Sequence, residues 1–238
     1  MSEASDQGFD AVRHFDADKA NAYDEYIPRV IPGYHTLHHL TAGILETETG
    51  AEGRVLVVGV GTGTEAIEIC RAYPGLSVMG LDISTDMLTV ARRRIAEAGL
   101  EGRIELSEGV VADLPDEAAF DAATLLLVMH FIADDGAKAG ILDAIARRLK
   151  PGAALVIGDM FGVRGTAAYQ DQEAVWRGLQ IAAGIDAEDV DKSIRHAEKD
   201  THPIPEERLF DLLEGAGFGT VTPFFLSLMF GGWVARKK

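Results

Sequence analysis

Three glycines at alternate positions, Gly59, Gly61 and Gly63, follow the apolar run Val55-Leu56-Val57-Val58, and an acid, Asp82, comes nineteen residues after Gly63 at the end of Leu76-Ser77-Val78-Met79-Gly80-Leu81. The chemistry this set performs is nucleoside binding. An unbroken β-branched run is a strand buried on both faces, only glycine lets the backbone turn sharply and approach a ligand closely, and the acid accepts hydrogen bonds from both ribose hydroxyls. Glu65-Ala66-Ile67-Glu68-Ile69-Cys70 resumes with helical spacing, which completes strand, glycine turn and helix.

The turn suits either a dinucleotide or S-adenosylmethionine. A dinucleotide fingerprint counted from Gly59 wants its third glycine or alanine at position 64, which is Thr64; the third glycine stands at 63 instead. Other candidate groups follow the strands. His130 falls just past the fourth strand, at the carboxyl edge of the sheet, where it would act as a general base on a hydroxyl or amine. His35, His38 and His39 at i, i+3 and i+4 would share a helix face, but no nearby cysteine or acid completes a ligand set, so no metal is expected. Tyr23, Tyr26, Tyr34, Phe161 and Trp176 would line an aromatic pocket or pack in the core, and Arg164 and Arg195 are the cations placed to meet an acidic substrate.

The elements that must position these groups are read from the pattern. Residues 1–50 are expected to be helical, with Phe9, Val12 and Phe15 at helical spacing, a break at Ile31-Pro32-Gly33-Tyr34, and a second helix from His35 to Leu45 acting as a lid over the ligand-binding edge. From Gly53 to Asp159 strands and helices alternate, with strands at Leu76–Asp82, Arg103–Leu106, Phe120–Val128 and Ala153–Ile157 and an N-cap at Ser84. Residues 161–205 carry no strand signal and form a helical insertion after the fifth strand. A helix from Pro205 and two closing strands, Phe218–Phe224 and Ser227–Ala235, end the chain. The expected fold class is α/β: a doubly wound, seven-stranded, mostly parallel sheet, with residues 1–50 as a helical cap and 51–238 as the main domain.

Composition sets the outer bounds. A chain of 238 residues and 25.5 kDa, 47% hydrophobic and 25% charged, buries a full core as one large domain. A net charge of −16 opposes extended contact with nucleic acid, and the clusters Arg92-Arg93-Arg94 and Arg147-Arg148 fall late in helices, where positive charge suits the helix dipole. No apolar run reaches bilayer length and the first residues are polar and acidic, so a cytoplasmic protein with a small-molecule substrate and no membrane partner is expected, a homodimer being compatible with this. Cys70, the single cysteine, reads as a buried structural thiol.

Four motifs in order resemble the class I S-adenosylmethionine-dependent methyltransferases (a Rossmann-like fold): Val55 to Gly63, Gly80-Leu81-Asp82-Ile83-Ser84, Ala112-Asp113-Leu114-Pro115, and Leu149-Lys150-Pro151-Gly152-Ala153. Within that class Ile31-Pro32-Gly33-Tyr34, Met129-His130-Phe131-Ile132, Ala216-Gly217-Phe218 and Phe230-Gly231-Gly232-Trp233-Val234-Ala235 resemble the carboxy-S-adenosylmethionine synthase group and its tRNA wobble-uridine methyltransferase-like relatives. The resemblance implies S-adenosyl-L-methionine as cofactor, with Tyr34 reaching it from the cap and Gly59, Val60, Gly61 and Gly63 beneath its amino-acid part. It implies Asp82 and Ile83 at ribose and adenine, and Val111 offering its N–H to the base. Val57 stands where the family has an acid, Val110 where an acid takes the adenine amino group, and Leu126 at the cofactor position of an asparagine; Asp113 is the substitute adenine partner. Tyr23, Tyr26, His35, Phe161 and Arg195 are the expected substrate contacts. The implied activity is methyl transfer to an O, N or S atom of a small molecule, with carboxy-S-adenosylmethionine synthesis and a non-catalytic nucleoside-binding module as alternatives.

Overall fold

The computed structural model describes residues 17–238, so the expected helical positions Phe9, Val12 and Phe15 lie outside the described residues. Two helices, α1 (Ala17–Val30) and α2 (Tyr34–Thr49), precede β1 (Gly53–Val58), α3 (Thr64–Ala72), β2 (Leu76–Asp82), α4 (Thr85–Glu97) and β3 (Ile104–Glu108). Next come β4 (Phe120–Leu126), α5 (Ala137–Arg148) and β5 (Leu149–Met160). The insertion is a helix pair, α6 (Ala167–Ala182) and α7 (Ala187–Asp200), and α8 (Glu206–Gly215), β6 (Phe218–Ser227) and β7 (Phe230–Lys237) close the chain. The strands form one seven-stranded sheet in the order β3-β2-β1-β4-β5-β7-β6, with β1 to β5 mutually parallel and β7 antiparallel to both β5 and β6.

Alternation along the buried strands divides the core in two. Val55 and Val57 of β1 face the layer made by α2, α3 and α4, against Leu37, Leu45, Ile69, Leu88 and Ile95; Leu56 and Val58 face α5 and α8, against Leu142, Ile145, Leu209 and Leu213. The position of α2 departs from the lid expected of it. Leu37, Ala42 and Leu45 are fully or almost fully buried against the sheet face, so α2 is a core helix, and only its first turns reach the ligand-binding edge. Cys70 is buried in the same layer, donating weakly to Leu76 O.

The fourth strand ends two residues before the sequence pattern suggests. Leu127 takes a left-handed conformation at φ 58° while its N–H donates to Gly158 O at 2.6 Å, and the chain bends so that Val128 turns back over the glycine turn. The insertion is tied to the N-terminal helices by Trp176, whose Nε1–H donates to Val30 O at 2.6 Å, within a cluster that includes Ile31, Tyr34, Met160 and Phe230. Among the described residues no helix is long and apolar enough to cross a membrane.

Arg94, late in α4, does more there than suit the helix dipole. Its guanidinium pairs with Asp24 of α1 at 2.8 Å and donates to Thr62 O and Thr64 Oγ1 at 2.9 and 2.8 Å, while the hydroxyls of Thr62 and Thr64 donate to Asp24 Oδ1 at 2.8 and 2.7 Å. One half-buried ion pair therefore fastens α1 to the segment between β1 and α3. Arg94→Met should cost about 1–3 kcal/mol of stability in urea titrations and speed amide exchange across 17–30. Arg93→Met is the control: its guanidinium lies exposed, 4.0 Å from Glu97, and its loss should change neither quantity.

Candidate cofactor and substrate site

The glycine turn is held by the end of β2. The N–H groups of Gly59 and Val60 both donate to Leu81 O at 2.8 Å, and that of Gly61 donates to Asp82 Oδ2 at 2.8 Å. Asp82 Oδ1 accepts the Ser84 N–H at 2.9 Å, and Ser84 in turn N-caps α4 by accepting from Met87. Each carboxylate oxygen of Asp82 thus keeps a further lone pair for a ligand hydroxyl. Burial raises the Asp82 pKa, with the backbone donors opposing the rise. Gly59 has φ 76°, and a Cβ there would meet Val128 Cγ2 at 2.3 Å; a Cβ on Gly61, also left-handed, would meet nothing within 4 Å, since this stretch opens on a cavity.

That cavity measures ≈ 770 Å³, within the range of pockets that enclose a small-molecule ligand. The glycine turn, Asp82 and Ile83 form one wall, Val111 and the end of β4 another, and Tyr23, Tyr34 and His38 close it from α1 and α2. Its wall is largely apolar. Among the described residues two carboxyl groups line it, Asp82 and Glu65, and no lysine or arginine does. Burial raises both tyrosine pKa values, with Asp24 among the contributing charges, so the hydroxyls stay protonated. Burial also pushes His38 down to about 4, His35 adding to the shift and Asp24 opposing it. Glu65 is pushed up to about 7 by burial, tempered by the Thr124 hydroxyl and reinforced by Glu68. Both ring nitrogens of His38 and Oε1 of Glu65 are buried without a hydrogen-bond partner.

Of the residues singled out in the sequence, Tyr23, Tyr34, Gly59, Val60, Gly61, Asp82, Ile83, Val111 and Leu126 line this cavity. Seven do not. Gly63 is the left-handed entry to α3, packed on Ala91. Asp113 folds back, its Oδ2 accepting the Val110 N–H at 2.9 Å, and so shapes the loop after β3 from outside the pocket. Tyr26 is 40% exposed, and His35 is exposed with its ring edge-on to Tyr34. Phe161 packs at right angles on Trp233 in the core, and Arg195 is exposed on α7 near Asp191. Arg164, the other candidate cation, donates to the carbonyls of Ala197, Glu198 and Thr201 and so caps α7.

His130 is the largest departure. It is buried behind the pocket wall with Nδ1 against Asp159 Oδ1, its carbonyl accepts the His202 N–H, and Lys138, fully buried, donates to Met129 O at 2.6 Å beside it. This group fixes the 3₁₀ turn after β4, Met129–Phe131, and Val128, Phe131 and Ile132 of this segment line the cavity. Two site groups went unassigned in the sequence, His38 and Glu65. The signal for His38 was its place one turn after Tyr34, against which its ring packs edge-on at 4.4 Å; α2 points it inward, while His35 and His39 point out, His39 toward Glu68 at 3.6 Å. Glu65 offered no signal beyond following the glycine turn.

Residues 55–152 match the family described as Methyltransferase domain. Carboxy-S-adenosyl-L-methionine synthase 1 of Yersinia pseudotuberculosis is 25% identical over 230 residues, covering 93% of this chain and 92% of that protein. A ubiquinone/menaquinone biosynthesis C-methyltransferase of Geotalea daltonii is 26% identical over 152 residues, covering 59% of this chain and 63% of the relative. The chain thus spans less than two thirds of the length of that methyltransferase. Among solved structures, a SAM-dependent methyltransferase of Methanosarcina mazei superposes with a TM-score of 0.60 at 21% identity, covering 82% of this chain and 96% of the other. The matched domain begins at β1 and takes in the glycine turn and Asp82, and the sheet order around them is that of the fold. Residues 55–152 thus match a methyltransferase domain set in a methyltransferase-like fold, and these likenesses support a class I S-adenosylmethionine-dependent methyltransferase.

Proposed function

We propose that this chain moves the methyl group of S-adenosylmethionine to an O, N or S atom of a small molecule held beneath the first turns of α2 and Tyr23 of α1. The observation that carries this reading is the cavity itself: the glycine turn and Asp82 on one side face Tyr34 and the unpartnered His38 on the other. When bound, the cofactor supplies a methyl already activated by its sulfonium. The protein's part is to bind, align and keep water out, which suits a largely apolar wall. Asp82 would accept the ribose hydroxyls, Ile83 would lie along the adenine and Val111 would offer its N–H to the base. His38 is neutral above about pH 4 and both its nitrogens are free, so it can take the proton that an attacking hydroxyl, amine or thiol gives up. A carbon acceptor, as the name of the quinone-biosynthesis relative implies for that protein, would use the same base if the carbon is activated through a neighbouring hydroxyl.

The end-to-end similarity to carboxy-S-adenosyl-L-methionine synthase favours a second reading, in which the cofactor itself is carboxylated. Against it stands the pocket wall: a desolvated carboxylate wants a cation, and no lysine or arginine lines the cavity among the described residues. Mass spectrometry of ligand retained through purification separates the two. S-adenosylmethionine or its demethylated product supports methyl transfer, and the heavier carboxylated nucleoside overturns it. Calorimetric titration with NAD should give no heat of binding; tight NAD binding would exclude both readings.

Asp82→Ala should weaken S-adenosylhomocysteine binding by about 1–3 kcal/mol, roughly ten- to hundredfold, through the lost ribose hydrogen bonds. Unchanged affinity in calorimetry would remove Asp82 from the site.

His38 predicts a pH dependence of stability. Its folded pKa lies below its unfolded one, so the folded chain binds fewer protons between pH 6.5 and about 4; the stability His38 contributes is whole above 6.5 and is lost as pH falls toward 4. In His38→Leu that loss is absent, and the gap between variant and native protein in urea titrations should close or invert on the acid side by on the order of 3 kcal/mol. Parallel stability curves would place His38 in water rather than in the pocket wall.

A further inference from the structure

The first turn of α3 holds a carboxyl group one of whose oxygens, Oε1 of Glu65, has no hydrogen-bond partner inside the protein. Glu65 is 5% exposed and lines the cavity two residues beyond the glycine turn, and its Oε1 has no hydrogen-bond partner. Below it, Thr124 of β4 is fully buried with its hydroxyl likewise unpartnered. Val57, paired in register with Thr124, shares that sheet face and offers nothing polar. Glu65 is therefore an unsolvated acid poised at a ligand pocket, an arrangement that costs stability unless a ligand completes it.

We propose that Glu65 binds the α-ammonium of the cofactor's methionine part, an inference that rests on the S-adenosylmethionine reading above. An ammonium carried from water into an apolar pocket needs an anion. The wall holds two among the described residues, and Asp82 already has both oxygens engaged by the N–H groups of Gly61 and Ser84. Glu65 alone keeps an oxygen without a bond. It approaches the sheet from α3, so the negative charge that Val57 does not supply from the strand comes from the helix above it.

Binding then carries a proton signature. Burial holds the Glu65 carboxyl up to about 7, whereas an ammonium beside it favours the ionised form, so the ligand expels a proton when it binds below about pH 7. The groups around Glu65 are Tyr34 of α2, Thr124 of β4, and Glu68 on its own helix, which itself faces His35 and His39, while His38 of α2, neutral above about pH 4, lines the same cavity. These remain in Glu65→Gln, so the difference between native and variant isolates Glu65.

The test titrates native protein and Glu65→Gln with S-adenosylhomocysteine, with its analogue lacking the α-amino group, and with 5′-methylthioadenosine, which lacks the amino-acid part altogether. Native protein should prefer S-adenosylhomocysteine over the deaminated analogue by roughly ten- to hundredfold. Glu65→Gln should erase that preference while binding 5′-methylthioadenosine as the native protein does, which also shows that the variant folds. Repeating the native titration at pH 6.5 in buffers of different ionisation enthalpy should reveal proton release that the variant lacks. An equal preference in the two proteins overturns the assignment to Glu65 alone. Failure of the native protein to bind any of the three nucleosides overturns the cofactor reading together with it.

Discussion

The carbonyl of Leu81 accepts two N–H groups, those of Gly59 and Val60, and on this pair of hydrogen bonds the rest of the site depends. A strand that turns sharply into a helix leaves backbone donors without sheet partners, and buried donors must find acceptors. Here the end of the neighbouring parallel strand provides them, so the turn takes its shape from β2 rather than from any side chain of its own. Asp82 follows directly, and its carboxylate reaches the next free N–H, that of Gly61. The missing Cβ at Gly59 then lets Val128 pack against the turn, which is possible because Leu127 bends β4 through a left-handed conformation. Three strand ends are thereby locked at one edge of the sheet, and the cavity is the space they leave.

Closure of that space is shared between two remote attachments. The Arg94–Asp24 pair fastens α1 to the stretch after the glycine turn, and the Trp176 bond to Val30 fastens the insertion to the other end of the same helix. By contrast α2 is fixed by burial against the sheet face, so it presents Tyr34 and His38 from a rigid base. The polar groups of the site thus come from well-packed elements, while α1, held through half-buried polar contacts, is the wall with the least to lose on opening.

What was legible in the sequence follows from where the determining forces act. Strand runs, Gly59 and Gly61, Asp82 and Ser84 are decided by local backbone chemistry, and the seven-stranded, mostly parallel sheet follows from the alternation of strand and helix. Where tertiary packing decides, local reading fails. His130 follows a strand at the ligand edge, but whether its ring faces ligand or core is set by Asp159 on β5, distant from it in sequence, with the buried Lys138 on α5 bracing the same turn. Phe161 and Arg164 stand beside the end of β5, yet their side chains are claimed by Trp233 and by the carbonyls that end α7. His38 was visible as one of three histidines on one helix, but the phase of α2 against the sheet, which separates it from His35 and His39, depends on Leu37 and Leu45 finding the core.

The two groups that sequence left unassigned share a physical logic. A sulfonium cofactor brings a fixed positive charge into an apolar pocket, and a cationic side chain beside it would repel it at short range and low dielectric. Burial keeps the His38 imidazole neutral down to about pH 4, so a cation entering the cavity would meet no opposing charge from it. The same burial pushes Glu65 up to about 7, so its carboxyl is held less readily ionised than an ordinary glutamate. At neutral pH His38 is therefore uncharged and Glu65 only partly ionised, so a cation entering the pocket would draw the carboxyl to its ionised form.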